Sequence, residues 1–202
     1  MNPSACRDEM LALMGEMEAK PIHVQHVAGL ALQLFDQLEA LHGLGPRERL
    51  LLEAAGYLHD IGHQFDFRGE GHHKESARLI RQYQWKNFDG AEVEVIAQVA
   101  RYHRKAMPDF THDEFKALND GDRRLVRQLA GLLRLADSLD RTHGQLVSGV
   151  RVELRPNQIL FHLETVGPVE REVKAARQKG DLAQAVFQRD LVFMVGGQEL
   201  GE

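Results

Sequence analysis

Cysteine is nearly missing from this chain: Cys6 is the only one among 202 residues. A lone thiol cannot close an internal disulfide, so a disulfide-built secreted scaffold is excluded and a reducing compartment fits. Cys6 itself reads as an incidental thiol, with no activating partner beside it in sequence. Long hydrophobic runs are missing too. No stretch approaches the ~20 apolar residues that a membrane-spanning helix needs. Asp8 and Glu9 stand where a secretory leader would carry positive charge, so a cytoplasmic protein is the expectation. Neither sign of charge dominates, since 25 Lys and Arg against 30 Asp and Glu leave a formal net charge of -5. That balance argues against general nucleic-acid binding. Trp85 and the methionines read as packing residues rather than a cofactor box.

The chain does have the means to build a core. With 43% apolar and 27% charged residues, it suits one sizeable domain, or one carrying a small appendage. Apolar positions recur at helical spacing from Ile22 to Leu41, with His26 inside this helix and Gly43 as its stop. A second helix begins at Pro46 and runs through His59 and Asp60, with a left-handed cap expected at Gly62. FDFRGEG reads as a loop, and a helix resumes at about His72. Asp89 and Glu92 form a capping pair for the helix that ends at His103, and THDE at Thr111 to Glu114 fits a capping box for a short one. Asp122 caps a long, central helix carrying Asp137. Beyond Gly144 the texture changes: VRVEL and ILFHL read as a hairpin, followed by a helix of about 170–188 and the strand LVFMV. The expected architecture is therefore mainly α, with a helical domain over 1–144 and a small α+β tail over 145–202 packed upon it.

Histidine is the excess, with eleven residues, several beside acidic groups. His26, His59, Asp60, His63, His73, His103 and Asp137 interrupt apolar helices or stand at their ends. Buried carboxylates and gathered imidazoles are costly unless a cation compensates them, and a divalent metal serves both. A mixed nitrogen and oxygen set suits Mn, Fe, Zn, Co or Ni without choosing among them. Water on such an ion supplies hydroxide near neutral pH. Spacing alone leaves another reading open, because histidines on helices are often satisfied by hydrogen bonds. Asp137 has its own alternative, a buried pair with Arg134 or Arg141.

With His26, His59-Asp60 and Asp137 in that order, the chain resembles the HD superfamily of metal-dependent phosphohydrolases, whose pattern is H...HD...D. LHDIGH, HHKESARLI, IAQVARYHRKAMP and LLRLADSLDRTH together look like the helical C-terminal HD-type region of the exopolyphosphatase and guanosine pentaphosphate phosphatase family, and that likeness extends into the tail. The family's N-terminal phosphatase fold, with its glycine-rich phosphate loops, has no counterpart in these 202 residues, so polyphosphate hydrolysis is not carried over. The resemblance implies an HD-domain helical bundle and a metal site of His26, His59, Asp60 and Asp137, holding one or two divalent ions, Mg among the options. It also implies that His73 and His103 either complete a second metal position or hold phosphate.

The reaction expected is hydrolysis of a nucleotide or other small phosphate ester. Asp60 would orient or deprotonate the attacking water. His73, His103, Arg104 and Lys105 would meet phosphate oxygens, although Arg104 and Lys105 would also suit an ordinary charged helix end. His63 either joins the catalytic groups or caps a carbonyl. His72 is expected to face solvent, and His23, His42, His112, His143 and His162 to lie on surfaces or turns. A regulatory metal- or nucleotide-binding domain without turnover and a di-iron oxygenase are the alternative functions. A homodimer is compatible with the sequence.

Overall fold

In the computed structural model, which describes residues 2–67 and 71–200, helices occupy the first two thirds of the chain. α1 (Pro3–Met17) starts on the Asn2 side chain, which accepts from the Ser4 and Ala5 amides. The helix expected over Ile22 to Leu41 is two: α2 (Pro21–Gln37) and a single turn, α3 (Glu39–His42), broken at Leu38. Gly43 ends it in the left-handed conformation, as its missing side chain allows. α4 (Pro46–Leu58) gives way at His59 to a run of tight turns and a 3-10 turn over His63–Phe65.

Gly62 is not the left-handed cap that the sequence suggests, since its φ is -77°. Its missing side chain is needed for contact instead. A Cβ there would stand 2.4 Å from the Ser76 nitrogen and 2.5 Å from the His72 oxygen, both backbone atoms of α5 (His72–Gln82). The turn after His59 is thus pressed flat against the start of α5. Part of the loop FDFRGEG, residues 68–70, lies outside the described residues.

α6 (Gly90–Arg101) opens with the expected reciprocal cap between Asp89 and Glu92. α7 (Asp113–Ala117) has no side-chain cap: the Thr111 amide instead donates to Asp109, and Thr111 does not act as foreseen. α8 (Asp120–Ser138) is capped by Asn119, whose side chain accepts from the Asp122 amide, so Asp122 lies inside the helix. α8 runs through the core as expected and packs against α2, α4 and α6. It ends at Ser138, short of His143.

The hairpin is present as β1 (Val147–Leu154) antiparallel to β2 (Gln158–Thr165). The helix expected over 170–188 is divided into α9 (Glu170–Lys179) and α10 (Asp181–Phe187). At the joint, a Cβ on Gly180 would meet Leu191 Cδ1 at 2.7 Å and the Ala176 oxygen at 2.8 Å. β3 (Asp190–Val195) then returns parallel to β2, and a short β4 (Gln198–Glu199) closes the sheet order β1-β2-β3-β4. β1 lies against α2, and α9 and α10 lie against α8. These contacts bring the end of α9 to the end of α8.

Candidate metal centre

Five helix ends meet at one point. α2 brings His23 from its first turn, the end of α4 brings His59 and Asp60, and the start of α5 brings His72 and His73. The turn after α6 brings His103, and the last turn of α8 brings Asp137. His23, His59, Asp60, His72, His73 and His103 are buried, and Asp137 is 14% exposed.

Three imidazoles are oriented in the same manner. His59 Nδ1 stands 2.7 Å from the Gly56 carbonyl, His103 Nδ1 2.7 Å from the Ala100 carbonyl, and His23 Nδ1 2.8 Å from Asp140 Oδ2. A carbonyl or carboxylate oxygen only accepts, so each Nδ1 carries a hydrogen, and in the neutral ring Nε2 is the nitrogen with the free lone pair. All three Nε2 atoms turn inward. His23 Nε2 is 3.6 Å from Asp137 Oδ1 and 3.9 Å from Asp60 Oδ2; His59 Nε2 is 3.9 Å from both Asp60 Oδ1 and Asp137 Oδ1. His103 Nε2 is 3.7 Å from Asp60 Oδ1.

Among the buried atoms without a hydrogen-bond partner are His23 Nε2, His59 Nε2 and Asp60 Oδ1. Such orphans are expensive in a core, and here they share one small space. His23, His59 and Asp137, and likewise His59, Asp60 and His103, each offer ligand atoms within 4.8 Å of one another. Ligands about 2.0–2.2 Å from a common ion lie roughly 3–3.5 Å apart, so a modest contraction would close the set on a cation. Anchoring the far ring nitrogen is the usual means of aiming a histidine ligand. The donor set therefore fits a first-row divalent ion.

The electrostatics point the same way. Burial alone would lower the His23 pKa, but the carboxylates of Asp137 and Asp140 outweigh it and raise it to about 9. Burial would raise Asp60, yet the imidazoles of His59, His72 and His103 hold it well below the usual carboxylate range. His103 is driven well down by burial and by His59. This cluster attracts positive charge, and the neutral imidazole to which His103 is driven is the form that binds metal.

The residue that the sequence reading missed on α2 is His23. His26 is not brought to the cluster: half-buried, its Nε2 bonds the Val147 carbonyl at 2.8 Å and ties β1 to the helix. The position expected for it is taken by His23 one turn earlier, a residue read as surface. His42 is also buried rather than on the surface, bonding the Phe35 carbonyl. His72 does not face solvent; its Nε2 lies 3.1 Å from Asp60 Oδ1. His63 is exposed and stacks on His72, with ring centroids 4.7 Å apart. Asp137 does not take the alternative pairing with Arg134: its Oδ2 is held by Lys179 at 2.7 Å, and Arg134 pairs with Asp181. Asp140 and Lys179 joined the site without any signal in the motif.

Beside the cluster lies a basic cleft of about 300 Å³, lined by His73, Lys74, Arg101, Arg104, Lys105 and His112 among others. His73 Nδ1 has no partner there. Burial first, then the charges of His72, Lys105 and Arg104, push its pKa down to about 4. Arg104 Nη1 comes within 3.2 Å of His72 Nε2, linking cleft and cluster.

Known proteins are similar to this chain in sequence. Over residues 10–174 the chain matches the family model described as Ppx/GppA phosphatase, domain III. It is 34% identical, over 113 residues, to the guanosine-5'-triphosphate,3'-diphosphate pyrophosphatase of Vibrio vulnificus (strain YJ016). That match covers 55% of this chain and 21% of the relative, so the chain spans about a fifth of the length of the curated relative it matches. With the family model covering most of its length, the chain belongs to the Ppx/GppA phosphatase family, as a domain III.

Proposed function

We propose that this protein is an HD-type, metal-dependent phosphohydrolase acting on a nucleotide or other small phosphate ester. The observation that carries this reading is the convergence of three anchored imidazoles and two carboxylates beside a basic cleft. His23, His59, Asp60 and Asp137 would hold a divalent ion, with His103 and His72 near enough to Asp60 to serve a second. When bound, such an ion supplies Lewis acidity and lowers the pKa of coordinated water.

The chain's own residues divide the remaining work. Asp60, flanked by imidazoles that keep it ionised, orients the attacking water as a hydrogen-bond acceptor. His73, Arg104 and Lys105 face the phosphoryl oxygens, where Arg104 can grip two of them and a neutral His73 can donate one hydrogen bond. His63, exposed and stacked on His72, would join the catalytic groups from the solvent side. In the chain, no helix among the described residues is long and apolar enough to cross a membrane. The buried Cys6 supports a reducing, cytoplasmic setting.

The test is a metal assay with a substrate screen. Purified protein is expected to contain a transition metal, and to hydrolyse at least one phosphomonoester or nucleotide with Mn, Co, Ni or Mg added. A His59→Ala variant should lose both. No bound metal and no turnover would overturn the reading. Bound metal without turnover would favour a regulatory domain.

A further inference from the structure

Lys179 is the last residue of α9, and its ammonium reaches into the candidate metal centre. Its Nζ lies 2.7 Å from Asp137 Oδ2. The contact is not a loose surface pair: the lysine side chain is 25% exposed and the aspartate 14%. The backbone at this point is also fixed. The Lys179 carbonyl accepts from Arg134 Nε at 3.2 Å, and Arg134 donates in turn to Asp181 Oδ1 at 2.9 Å and to the Tyr102 carbonyl at 3.2 Å. Arg134 therefore locks the α9 terminus against α8 and the turn after α6.

The two oxygens of Asp137 consequently face different cations. Oδ1 looks toward His23 Nε2 and His59 Nε2 at 3.6 and 3.9 Å, the direction of an ion. Oδ2 is already engaged by the ammonium. A carboxylate that chelates, or that bridges through both oxygens, would have to share Oδ2 with the ammonium, whereas Oδ1 faces the imidazoles. The ammonium also repels any divalent ion bound on the other side of the same carboxylate.

We propose that Lys179 is a positioning residue that holds Asp137 as a one-oxygen ligand and sets the metal affinity of the centre below what its imidazoles and carboxylates would otherwise give. The inference rests on the metal-centre reading above. It makes the α+β element a working part of the site, because the residue that tunes the ion is contributed by α9 and not by the helical body.

The test is calorimetric titration of the full chain with Co²⁺ and with Mn²⁺, alongside circular dichroism and melting temperature. Lys179→Met removes the charge and keeps the length. It is expected to bind each ion at least about tenfold more tightly than the wild type, the order set by removing one cationic charge a few ångströms from a divalent ion. Lys179→Arg should restore affinity toward the wild-type value. A merely structural lysine would lower the melting temperature without tightening metal binding. Unchanged or weaker binding in a folded Lys179→Met protein overturns the proposal while leaving the metal centre intact. Lys179→Gln gives the same comparison if the methionine variant fails to fold. Failure of the wild type to bind either ion overturns this proposal and the metal-centre reading together.

Discussion

Replacing Gly62 with alanine places a methyl group 2.4 Å from the Ser76 nitrogen, 2.5 Å from the His72 oxygen and 2.8 Å from the Glu75 carbonyl carbon. All three are backbone atoms of α5, so no side chain can swing away. The φ of -77° is one that alanine adopts freely, and the whole effect must come from packing. Relief requires the first turn of α5 to move away from the turn after His59. That movement also stretches the bond from the Gly62 amide to Ser76 Oγ, now 2.9 Å. Overpacking of this kind costs about 1–3 kcal/mol, and weakening one buried hydrogen bond adds about 1 kcal/mol. A loss of about 3 kcal/mol corresponds to a melting temperature lower by roughly 6–12 °C in a chain of this size. His72 and His73 ride on the displaced turn, so Mn²⁺ affinity should fall as well. Gly43→Ala is the control: Gly43 has φ +63° and nothing within 4 Å of a new Cβ, so it should cost only about 1 kcal/mol of backbone strain. Thermal and urea unfolding of both variants decides the matter. If Gly62→Ala is no less stable than Gly43→Ala, the packing argument for this glycine is wrong.

His23→Ala should abolish Mn²⁺ binding, whereas His26→Ala should keep it and lose about 1 kcal/mol through its bond to Val147; calorimetry and melting curves separate the two, and the opposite ranking would restore His26 as the ligand. Arg134→Met removes donors to the Tyr102, Lys105 and Lys179 carbonyls. It should destabilise the fold by about 3 kcal/mol, and a melting temperature within 2 °C (about 0.5–1 kcal/mol) of the wild type would contradict the role given to it. The Cys6 thiol is fully buried and pushed up in pKa by that burial. It should therefore ignore a disulfide reagent at pH 8 in the native protein and react fully in urea; rapid native labelling would show that α1 opens.

Much of the fold could be read from patterns that act locally. The apolar spacing of α4 and α8, the reciprocal cap of Asp89 and Glu92, and the alternation in β1 and β2 are all set by neighbours in sequence. Where a nearby alternative existed, local reasoning erred. Asn119, three residues before Asp122, is an equally good cap, and it is the one used. At Gly180, where α9 gives way to α10, a Cβ would meet Leu191 of β3, a contact made across the fold and invisible to helical periodicity.

The candidate site divides along the same line. His59, Asp60 and Asp137 announce themselves because a helix end or an apolar helix has no cheap use for them. His23 and His26 do not, since they lie on neighbouring faces of α2 and differ by about 4.5 Å along its axis. Either satisfies the order of the motif. What separates them lies outside α2: the Val147 carbonyl at the start of β1 claims His26, while Asp140, just past the end of α8, claims Nδ1 of His23 and turns its Nε2 inward. Lys179 is the extreme case, 42 residues from the carboxylate it holds. The ligands follow from the helices' own chemistry, but the choice between His23 and His26 is made by Asp140 and Val147 together, and the charge that faces Asp137 from the far side comes from α9.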